Sequence, residues 1–575
     1  TASIRTSGGT NAGGCSSPTR AAHAEAMLKA LRRFFGGVPP TPHVAAPPVD
    51  VEALLEAPAR AAAEGRVDDA VGSLEAVLRE HPDLAQAHLL LGTVLHQCGE
   101  IEDARDSYTL AAHYAPQSGL APFHLGLLEL EQGRVTAALS ALEQALALGG
   151  AGARVHNALG AAHSKARDFE SAVLQFRRAV ALEPGFAEAH SNLGYVLFRE
   201  IEDYAAGAAH IEQALSLEPE RPATRLNWAM VLQQRGRGEE ALAVYDRLIE
   251  ADPAFDEARL NRGLIRLARG EFAAGWQDYE ARKALAPVPT AGDGDEWDGS
   301  DLRDSTIALY GEQGIGDEIM FASCVPDIVR TARRCVIHCN PRLVGLFRLS
   351  FPRATVLAAG ARVASPEPRP RWRAMIGSVP RFLRTARADF PAHAGYLRAD
   401  PARAAYWKER LAALPGRRKI GISWRGGAPS TRRSLRSIPL DEWRGVLRLD
   451  GVDFVSLQYT DCGDEIAEVA RAADVRVHHW PDALDDYEET AALVSALDVV
   501  ISVQTAVVHL AGALGVATWA LVPETPEWRY GDHGEAMPWY PSVKVIRKQR
   551  GEDWSGVLAR VTERLAATLE DVRRA

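Results

Sequence analysis

Apolar and polar positions follow two different patterns along this chain. In the first half, helical segments recur at a fixed interval, and a proline or glycine ends successive units at spacings of 34, 34, 34, 35 and 34 residues. These positions are Pro82, Pro116, Gly150, Pro184, Pro219 and Pro253. A small residue keeps the same interval at Gly92, Gly126, Gly160, Gly194, Ala229 and Gly263. Because helices that cross closely need a small residue at the crossing, the pattern predicts stacked helix pairs.

In the second half, short apolar runs alternate with helical segments. The runs cover 306–310, 334–339, 419–424, 453–457, 475–479, 498–502 and 516–522. This alternation predicts parallel sheets with helices on both faces. The interval from 305 to 550 is long for one such sheet and suits two. Since open parallel sheets bind ligands beyond the carboxyl ends of their strands, we expect an active site in a cleft between two facing sheets.

The period and residue types of the first half resemble the tetratricopeptide repeat, whose stacked helix pairs form a superhelix with a concave binding surface. The predicted fold class is therefore an all-α superhelix followed by an α/β region of two Rossmann-like parallel-sheet domains. The predicted boundaries are 1–50 for a mostly disordered segment with a short helix, 51–288 for about seven repeats, 289–304 for a linker, 305–405 for the first sheet domain and 406–575 for the second, with a C-terminal helix.

Composition narrows the function classes. A formal net charge of -10 over 575 residues argues against a general nucleic-acid binder. No apolar run approaches the roughly 18 residues that cross a bilayer. The N-terminus lacks the residue order of a signal peptide, so we expect a cytoplasmic protein without a transmembrane segment. Cys335 and Cys339 flank His338 in a run typical of a buried strand; without a second ligand pair nearby, we expect reduced thiols and no metal.

Three asparagines occupy the same position in successive repeats. Asn192, Asn227 and Asn261 each lie two residues before the small crossing residue. In a tetratricopeptide unit this position faces the concave groove, where a primary amide can pair with the backbone of an extended peptide. The alternative is that three solvent-facing asparagines coincide there. The earlier units carry other residue types, so the predicted ladder is confined to the later repeats.

A glycine-rich turn follows the first strand of the second half. Gly311, Gly314 and Gly316 precede Asp317 and an apolar helix. Such a turn lets a ligand approach the amides at a helix N-terminus. The glycine spacing differs from the GxGxxG of dinucleotide-binding folds. Asp317 either caps the helix or acts as a general base aimed into the cleft.

Several segments of the second half occur in a characteristic order. They are Gly316-Asp317 with its helix, KIGISWRGG, RSIPLDEW, FVSLQ, ETAALVSALDVVIS and VQTAVVHLAGALG. This order resembles the heptosyltransferase-like family of GT-B glycosyltransferases. Together with the repeats, GEFAAGWQDYE, PEWRYG and PWYPSVKVIRK, the chain is similar to bacterial tetratricopeptide-repeat glycosyltransferases, some of which modify flagellin. The resemblance covers nearly the whole chain after residue 50.

The resemblance implies roles for the matching positions. Asp317, next to Gly316, is the expected catalytic base, and Arg436 is the expected basic residue near the donor diphosphate. Thr505, Ala506, Val507 and His509 form the segment expected to receive phosphate at a helix N-terminus. No metal-binding DxD occurs at a matching strand end, so positive groups of the protein would stabilise the leaving phosphate. The alternatives are a surface charge for Arg436 and a hydrogen-bonded core residue for His509.

Further positions are candidates for donor binding: Gly316, Trp424, Arg425, Gln504, Glu527 and Trp528. Gln504 stands where many members of the family have an acidic residue before the Thr, so we expect a donor other than ADP-heptose. Arg425 either meets a phosphate or sugar carboxylate, or is exposed on a tight turn. Trp528 either stacks on a base or sugar, or packs at the domain junction.

The leading hypothesis is a metal-independent protein O-glycosyltransferase that needs no cofactor besides its nucleotide-sugar substrate. The repeats would hold the acceptor protein, and the second half would transfer the sugar to a Ser or Thr hydroxyl. Flagellin as acceptor, and a nonulosonic acid such as pseudaminic acid as sugar, are implied by the resemblance alone. The alternatives are a transferase acting on a lipid-linked or surface polysaccharide, and an interaction scaffold that has lost activity.

Overall fold

The computed structural model describes residues 50–149, 152–285, 294–360, 369–426 and 432–574. The predicted N-terminal segment lies outside the described residues except for Asp50, and so does the first part of the predicted linker. The chain forms two compact units, one within residues 3–228 and one containing residues 229–575. The boundary falls inside a helix, Pro222–Gln234.

Within the described residues, short turns join fourteen consecutive helices into seven helix-turn-helix hairpins. They are α1 (Val51–Ala63) with α2 (Val67–Glu80), α3 (Ala85–Gln97) with α4 (Ile101–Tyr114), α5 (Leu120–Glu131) with α6 (Val135–Ala147), α7 (Ala153–Lys165) with α8 (Phe169–Leu182), α9 (Ala187–Arg199) with α10 (Tyr204–Leu217), α11 (Pro222–Gln234) with α12 (Gly238–Ala251), and α13 (Asp256–Ala268) with α14 (Phe272–Tyr279). A short helix, α15 (Arg282–Leu285), follows.

Small residues stand where the two helices of a hairpin cross. A Cβ added to Gly92 would lie 2.7 Å from the ring of Tyr108, and one added to Gly160 would lie 2.7 Å from the ring of Phe176. No larger side chain fits at these distances without displacing an aromatic ring. The predicted crossing position is therefore confirmed.

The turn inside each hairpin contains one residue with a positive φ. Five turns use glycine, as at Gly133 (φ 71°), whereas Arg167 and Glu202 each adopt 63°. Glycine reaches this conformation without steric cost, whereas in other L-residues the Cβ comes too close to the backbone and the conformation is less stable. The turn geometry is therefore common to all seven hairpins although its residue is not.

The described residues of the unit from 229 to 575 form two parallel sheets. The first has the strands β1 (Asp295–Glu296), β2 (Thr306–Tyr310), β3 (Arg334–Cys339), β4 (Ala354–Ala358) and β5 (Trp372–Met375), in the order β1-β5-β2-β3-β4. The second has β6 (Arg418–Ser423), β7 (Val452–Ser456), β8 (Val477–His478), β9 (Val499–Val503), β10 (Thr518–Val522) and β11 (Val543–Arg547), in the order β11-β10-β9-β6-β7-β8. All the pairings of these strands are parallel.

Helices connect these strands. They are α16 (Ile315–Phe321), α17 (Val325–Thr331), α18 (Val344–Ser350), α19 (Pro380–Leu383), α20 (Pro401–Ala412), α21 (Arg444–Leu447), α22 (Gly463–Ala473), α23 (Asp482–Asp485), α24 (Tyr487–Ser495), α25 (Ala506–Ala513) and α26 (Trp554–Arg574). The predicted fold class, all-α repeats followed by an α/β region with parallel sheets, is confirmed. The assignment of that region to the GT-B fold stays a prediction, as do the domain boundaries.

The last hairpin contributes to the core of the α/β region. Trp276 on α14 is 1% exposed, and its ring centroid lies 5.6 Å from that of Trp528 and 6.1 Å from that of Trp539. Its indole N–H donates to the carbonyl oxygen of Arg384 at 2.8 Å. The α13–α14 hairpin is therefore bound to the sheet region by a buried aromatic cluster.

Candidate functional site

The second sheet changes its winding direction at β6. The chain continues from β6 to β7 on one side, while β9 pairs with β6 on the other side. A crevice opens beyond the carboxyl ends of the two strands at such a point, and α/β sheets bind ligands there. Residues 424–426 leave β6 and residues 504–505 leave β9, so the topology brings two of the predicted donor-binding segments together.

Gln504 is buried at this edge without a hydrogen-bond partner. It is 2% exposed, and neither its side-chain oxygen nor its side-chain nitrogen is paired within the part of the chain that the structure describes. An unpaired buried amide costs about 1–3 kcal/mol, so it calls for a partner from outside the chain, such as an ordered water, an ion or a ligand. Gln504 is therefore the residue that most directly points to a ligand here.

The predicted phosphate-binding segment forms the start of α25. Thr505 is the N-cap, and its hydroxyl oxygen accepts a hydrogen bond from the Val507 amide at 3.3 Å. Its hydroxyl also lies 3.0 Å from that of Ser502. The first turn of a helix carries a partial positive charge and favours anions. Ala506 opens this turn, as the sequence predicted.

Arg436 is buried beside Gln504. It is 8% exposed, and its Nη1 donates to the Gln504 carbonyl oxygen at 3.4 Å. Burial lowers the pKa of Arg436, although Glu527 acts against this. A Cβ at Gly426 would lie 2.9 Å from the Arg436 carbonyl oxygen, so only glycine fits there. The alternative that Arg436 is a surface charge is wrong, and a positive group lies at the sheet edge.

The first sheet brings Asp317 to the same region. Gly316 lies against the start of α25, since a Cβ added to it would be 3.3 Å from the Ala506 Cα and 3.2 Å from the His509 ring. Asp317 Oδ1 pairs with Arg529 Nη2 at 2.5 Å, and Oδ2 accepts from the Gly314 amide at 3.4 Å. Asp317 therefore caps α16, and its carboxylate also meets an arginine of the second half.

Charges of alternating sign extend from Asp317 along this edge. Burial lowers the pKa of Arg529, but Asp317 and Glu527 outweigh it and the net shift is upward. Burial raises the pKa of Glu527, but Arg432, Arg529 and Arg436 outweigh it and hold this pKa at about 2. Arg432 Nη2 lies 3.2 Å from Glu527 Oε1. Glu527, predicted to touch the donor, thus neutralises the arginines around it.

Three predicted donor-binding side chains lie in the hydrophobic core. Trp424 is fully buried among apolar residues, so a ligand at the end of β6 would meet only its backbone. Trp528 is 8% exposed and packs against Trp276. His509 lies 3.1 Å from the Tyr540 hydroxyl, and burial lowers the pKa of His509 well below its usual value. Trp528 and His509 therefore pack as their alternative interpretations predicted, Trp528 in an aromatic cluster and His509 as a hydrogen-bonded core residue.

Arg425 is held by the chain itself. Its Nη2 donates to the Asp461 carbonyl oxygen at 2.7 Å and lies 3.4 Å from Glu465 Oε2. Its backbone amide donates to the side-chain oxygen of Gln458 at 3.0 Å. The alternative of an exposed arginine on a turn is thus wrong, since Arg425 ties β6 to the segment after β7.

Two residues of the site escaped prediction. Gln458 is 1% exposed, and its amide bridges the segments that follow β6 and β7. Glu318 is 5% exposed, and burial raises its pKa to about 7 although the Asn340 amide donates to it at 2.9 Å. The signal for Glu318 was weak, because an acidic residue in the first turn of a helix is ordinary.

The asparagines of the repeats use their N–H groups inside the protein. Asn192 Nδ2 donates to Asn157 Oδ1 at 3.0 Å, and Asn227 Nδ2 donates to Ser191 Oγ at 3.1 Å. Asn157, missed by the repeat alignment because it lies one position before the ladder position, in turn donates to Glu188 at 3.0 Å. Asn192 and Asn227 therefore link neighbouring repeats. The atoms that they mainly leave for binding a peptide are their side-chain oxygens. Asn261, in the other unit, is partly exposed.

The described residues contain no cluster of three or more side chains able to hold a metal ion. Cys335 and Cys339 are buried, and each is a free thiol. Among the helices within the described ranges, none has the length and apolar character to span a bilayer.

Comparison with known proteins agrees with the repeat pattern. Two tetratricopeptide-repeat families match the chain, one at 59–119, 99–153, 123–164 and 157–223, and the other at 198–262. The tetratricopeptide protein TTC0263 of Thermus thermophilus is 25% identical, with a TM-score of 0.28, and the match covers 31% of this chain and 96% of that one. BBSome complex member BBS4 of Xenopus tropicalis is 29% identical over 145 residues, which are 25% of this chain and 28% of BBS4.

A longer match extends into both halves of the chain, since it covers 68% of it. Protein FlbA of Caulobacter vibrioides is 32% identical over 418 residues. These residues cover 68% of this chain and 69% of FlbA, so the match extends over most of both proteins. The chain is therefore a tetratricopeptide-repeat protein that belongs to the FlbA family.

Proposed function

We propose that this protein is an O-glycosyltransferase that moves a sugar from a nucleotide-sugar donor to a serine or threonine hydroxyl of an acceptor protein. The observation that carries the proposal is the buried, unpaired amide of Gln504, which lies between Arg436 and the start of α25. A nucleotide sugar offers donors and acceptors for such an amide. Its phosphate groups, one in a CMP-sugar and two in a nucleoside diphosphate sugar, suit a buried arginine and a helix N-terminus.

The order of the second sheet supports a nucleotide at this edge. Its strands follow the order common among Rossmann-type sheets, in which nucleotides bind where the winding direction changes. With Asp317 contributed from the first sheet, both sheets supply residues to one region, as the GT-B resemblance implies. Fold alone does not assign an activity, so the proposal rests on the side chains at this edge.

The proposed reaction exchanges one bond at the anomeric carbon for another. The acceptor hydroxyl oxygen bonds to this carbon while the bond from the carbon to the donor phosphate oxygen breaks. Asp317 takes the hydroxyl proton, and the nucleotide leaves with the bonding electron pair. Arg436 and the first-turn amides of α25 stabilise the negative charge on the leaving phosphate. The Arg529 ion pair orients the Asp317 carboxylate.

The tetratricopeptide repeats support a role in binding other proteins. In the proposal they hold the acceptor, and Asn192, Asn227 and Asn261 contribute to its recognition. Flagellin is the proposed acceptor and a nonulosonic acid the proposed sugar, both through the resemblance to transferases that modify flagellin.

A donor panel combined with one substitution tests the proposal. Thermal stabilisation is measured with UDP-, GDP-, ADP- and CMP-sugars for the wild type, Asp317→Asn and the exposed control Asp301→Asn. We expect one nucleotide class to stabilise all three proteins. Incubation with flagellin and that donor should add the mass of the sugar with the wild type and the control, and not with Asp317→Asn. Transfer at the wild-type rate by Asp317→Asn would exclude Asp317 as the base.

A second candidate function is an interaction scaffold without transferase activity. The ion pair between Asp317 and Arg529 favours it, because this contact occupies the carboxylate that the reaction requires. Absence of stabilisation by every donor in the panel would support the scaffold over the transferase.

A further inference from the structure

A cavity of about 240 Å³ lies next to the site, between the last repeat hairpin and the segment that follows β10. It is lined by the end of α13, by Phe272 and by residues of the 528–539 segment. The Asp532 amide donates to the Ala268 carbonyl oxygen at 3.1 Å, which joins the two walls. A cavity of about 150 Å³ accepts benzene, so this one has room for a single ring with a substituent.

The lining combines aromatic surface with positive charge. The aromatic part consists of the edges of three largely buried rings, Phe272, Trp528 and Trp539, while Arg269, Arg387 and Arg529 supply the charge. None of the lining residues that the structure describes is acidic. Arg269 pairs with Glu239 at 2.7 Å, and Glu239 is highly exposed, so that pair lies at the solvent side. Such a lining fits an anion with a flat apolar body.

Arg529 connects the cavity to Asp317. Its Nη2 holds the Asp317 carboxylate, whereas its buried Nε has no hydrogen-bond partner among the described residues. The guanidinium also lies 5.6 Å from the centre of the Trp528 ring, which lines the cavity. One arginine is thus shared between the proposed base and the cavity wall. An anion in the cavity competes with Asp317 for it.

We propose that this cavity is a binding site for a small aromatic anion, a single ring bearing a carboxylate or phosphate, and that its occupant draws Arg529 away from Asp317. The ring packs against the exposed edges of Trp528, Trp539 and Phe272, and the anionic group meets Arg387 and Arg529. By thermodynamic linkage, a bound anion that weakens the Asp317–Arg529 pair is itself bound more tightly when that pair is absent. The site goes beyond the proposed transferase activity.

Calorimetric titration of the full chain with phenyl phosphate tests the site, with uncharged benzyl alcohol as the control ligand. We expect one saturable site for phenyl phosphate. Arg387→Ala, an exposed position, should weaken binding about tenfold through loss of a charge-assisted contact. The matched control Arg303→Ala, an exposed arginine outside the cavity, should bind as the wild type does. Binding unchanged by Arg387→Ala, or equal binding of benzyl alcohol, would overturn the site.

The coupling to Asp317 is tested in the same titration. Asp317→Asn removes the anion that competes for Arg529, so phenyl phosphate should bind about fivefold to tenfold more tightly, at the low end of the usual range for coupled sites. Equal affinity in Asp317→Asn and the wild type would overturn the coupling. Both measurements omit the sugar donor and the acceptor protein, so failure of the transferase proposal leaves them interpretable.

Discussion

Two buried glutamines at the edge of the second sheet differ in how their amides are paired. Gln504 has no hydrogen-bond partner among the described residues, whereas Gln458 bonds to the backbone after β6 and to Thr460. Replacing an unpaired buried amide by an apolar group of similar shape removes a desolvation cost. Replacing a paired one leaves its partners unsatisfied.

We therefore expect Gln504→Met to raise the unfolding free energy of the ligand-free protein by about 1–2 kcal/mol and Gln458→Met to lower it by a similar amount. Chemical denaturation checks both values. Gln504→Met should also lose stabilisation by the nucleotide sugar. A less stable Gln504→Met protein would show that the amide is needed for the fold and would remove the main support for a ligand at this edge.

The Glu318 carboxyl predicts how stability depends on pH. Burial raises its pKa from 4.5 to about 7, so the folded protein binds this proton more tightly than the unfolded chain. Between these two pKa values the folded state holds more protons, and the unfolding free energy falls as pH rises. Above the folded pKa, the full cost of ionising the buried carboxyl is present.

Glu318→Gln should remove this cost because an amide cannot ionise. At pH 8 we expect the variant to be more stable than the wild type by about 3 kcal/mol, and at pH 4 the difference should vanish. Urea unfolding at several pH values measures the slope, with the exposed Glu143→Gln as control. A slope as steep in Glu318→Gln as in the wild type would assign it to other groups.

For single residues, the sequence could indicate candidate site residues but not the residues with which they pair. The glycine-rich turn and the helix start after β9 drew attention to Asp317 and Thr505, and both lie at the ends of parallel strands. Asp317 and Arg529 are 212 residues apart in the sequence, and no local sequence pattern predicts an ion pair over such a separation. The burial of Trp424 and the pairing of Asn192 also depend on tertiary neighbours.

Among the elements, the hairpin turns allow a test of backbone conformation alone. Gly133 has a φ of 71°, and a Cβ there would meet no atom within 4 Å. Gly72, within α2, has equally open surroundings and a helical backbone. Gly133→Ala should therefore destabilise the protein by about 1 kcal/mol, through strain, while Gly72→Ala should stabilise it by about 0.5–1 kcal/mol.

Thermal unfolding of the two variants side by side measures this difference. Equal effects from both substitutions would mean that the φ of Gly133 does not control stability. The comparison is matched because neither added methyl group changes packing.

The elements found from sequence were those with a strong pattern. The repeat interval located the crossing glycines, and apolar runs located β2, β3, β6, β7, β8, β9 and β10. The runs missed β1, β4, β5 and β11. β5 contains an arginine between its tryptophan and alanine, and β1 has two charged residues. Pairing with neighbouring strands, rather than their own composition, makes β1 and β5 strands. β4 was missed although its sequence, Ala354–Ala358, is largely apolar.

At the scale of the whole molecule, the main feature is the aromatic cluster around Trp276. It joins the last repeat hairpin to the sheets within the unit 229–575. Trp276→Ala should lower the unfolding free energy by about 3–5 kcal/mol through the cavity that it creates. Trp276→Phe keeps most of the ring and loses the hydrogen bond to Arg384, so about 1–2 kcal/mol is expected. Calorimetric unfolding compares the two; a small loss in Trp276→Ala would show that the cluster does not hold the hairpin.

The position of Trp276 also gives the repeat array one fixed end. A tetratricopeptide unit normally needs to match only its two neighbours, so whole units can be duplicated or deleted during evolution. The hairpin 256–279 does not have this freedom, because its second helix completes the core of the sheet region. Relatives that differ in repeat number should therefore gain or lose units before Asp256, and the last hairpin should be inherited together with the sheets.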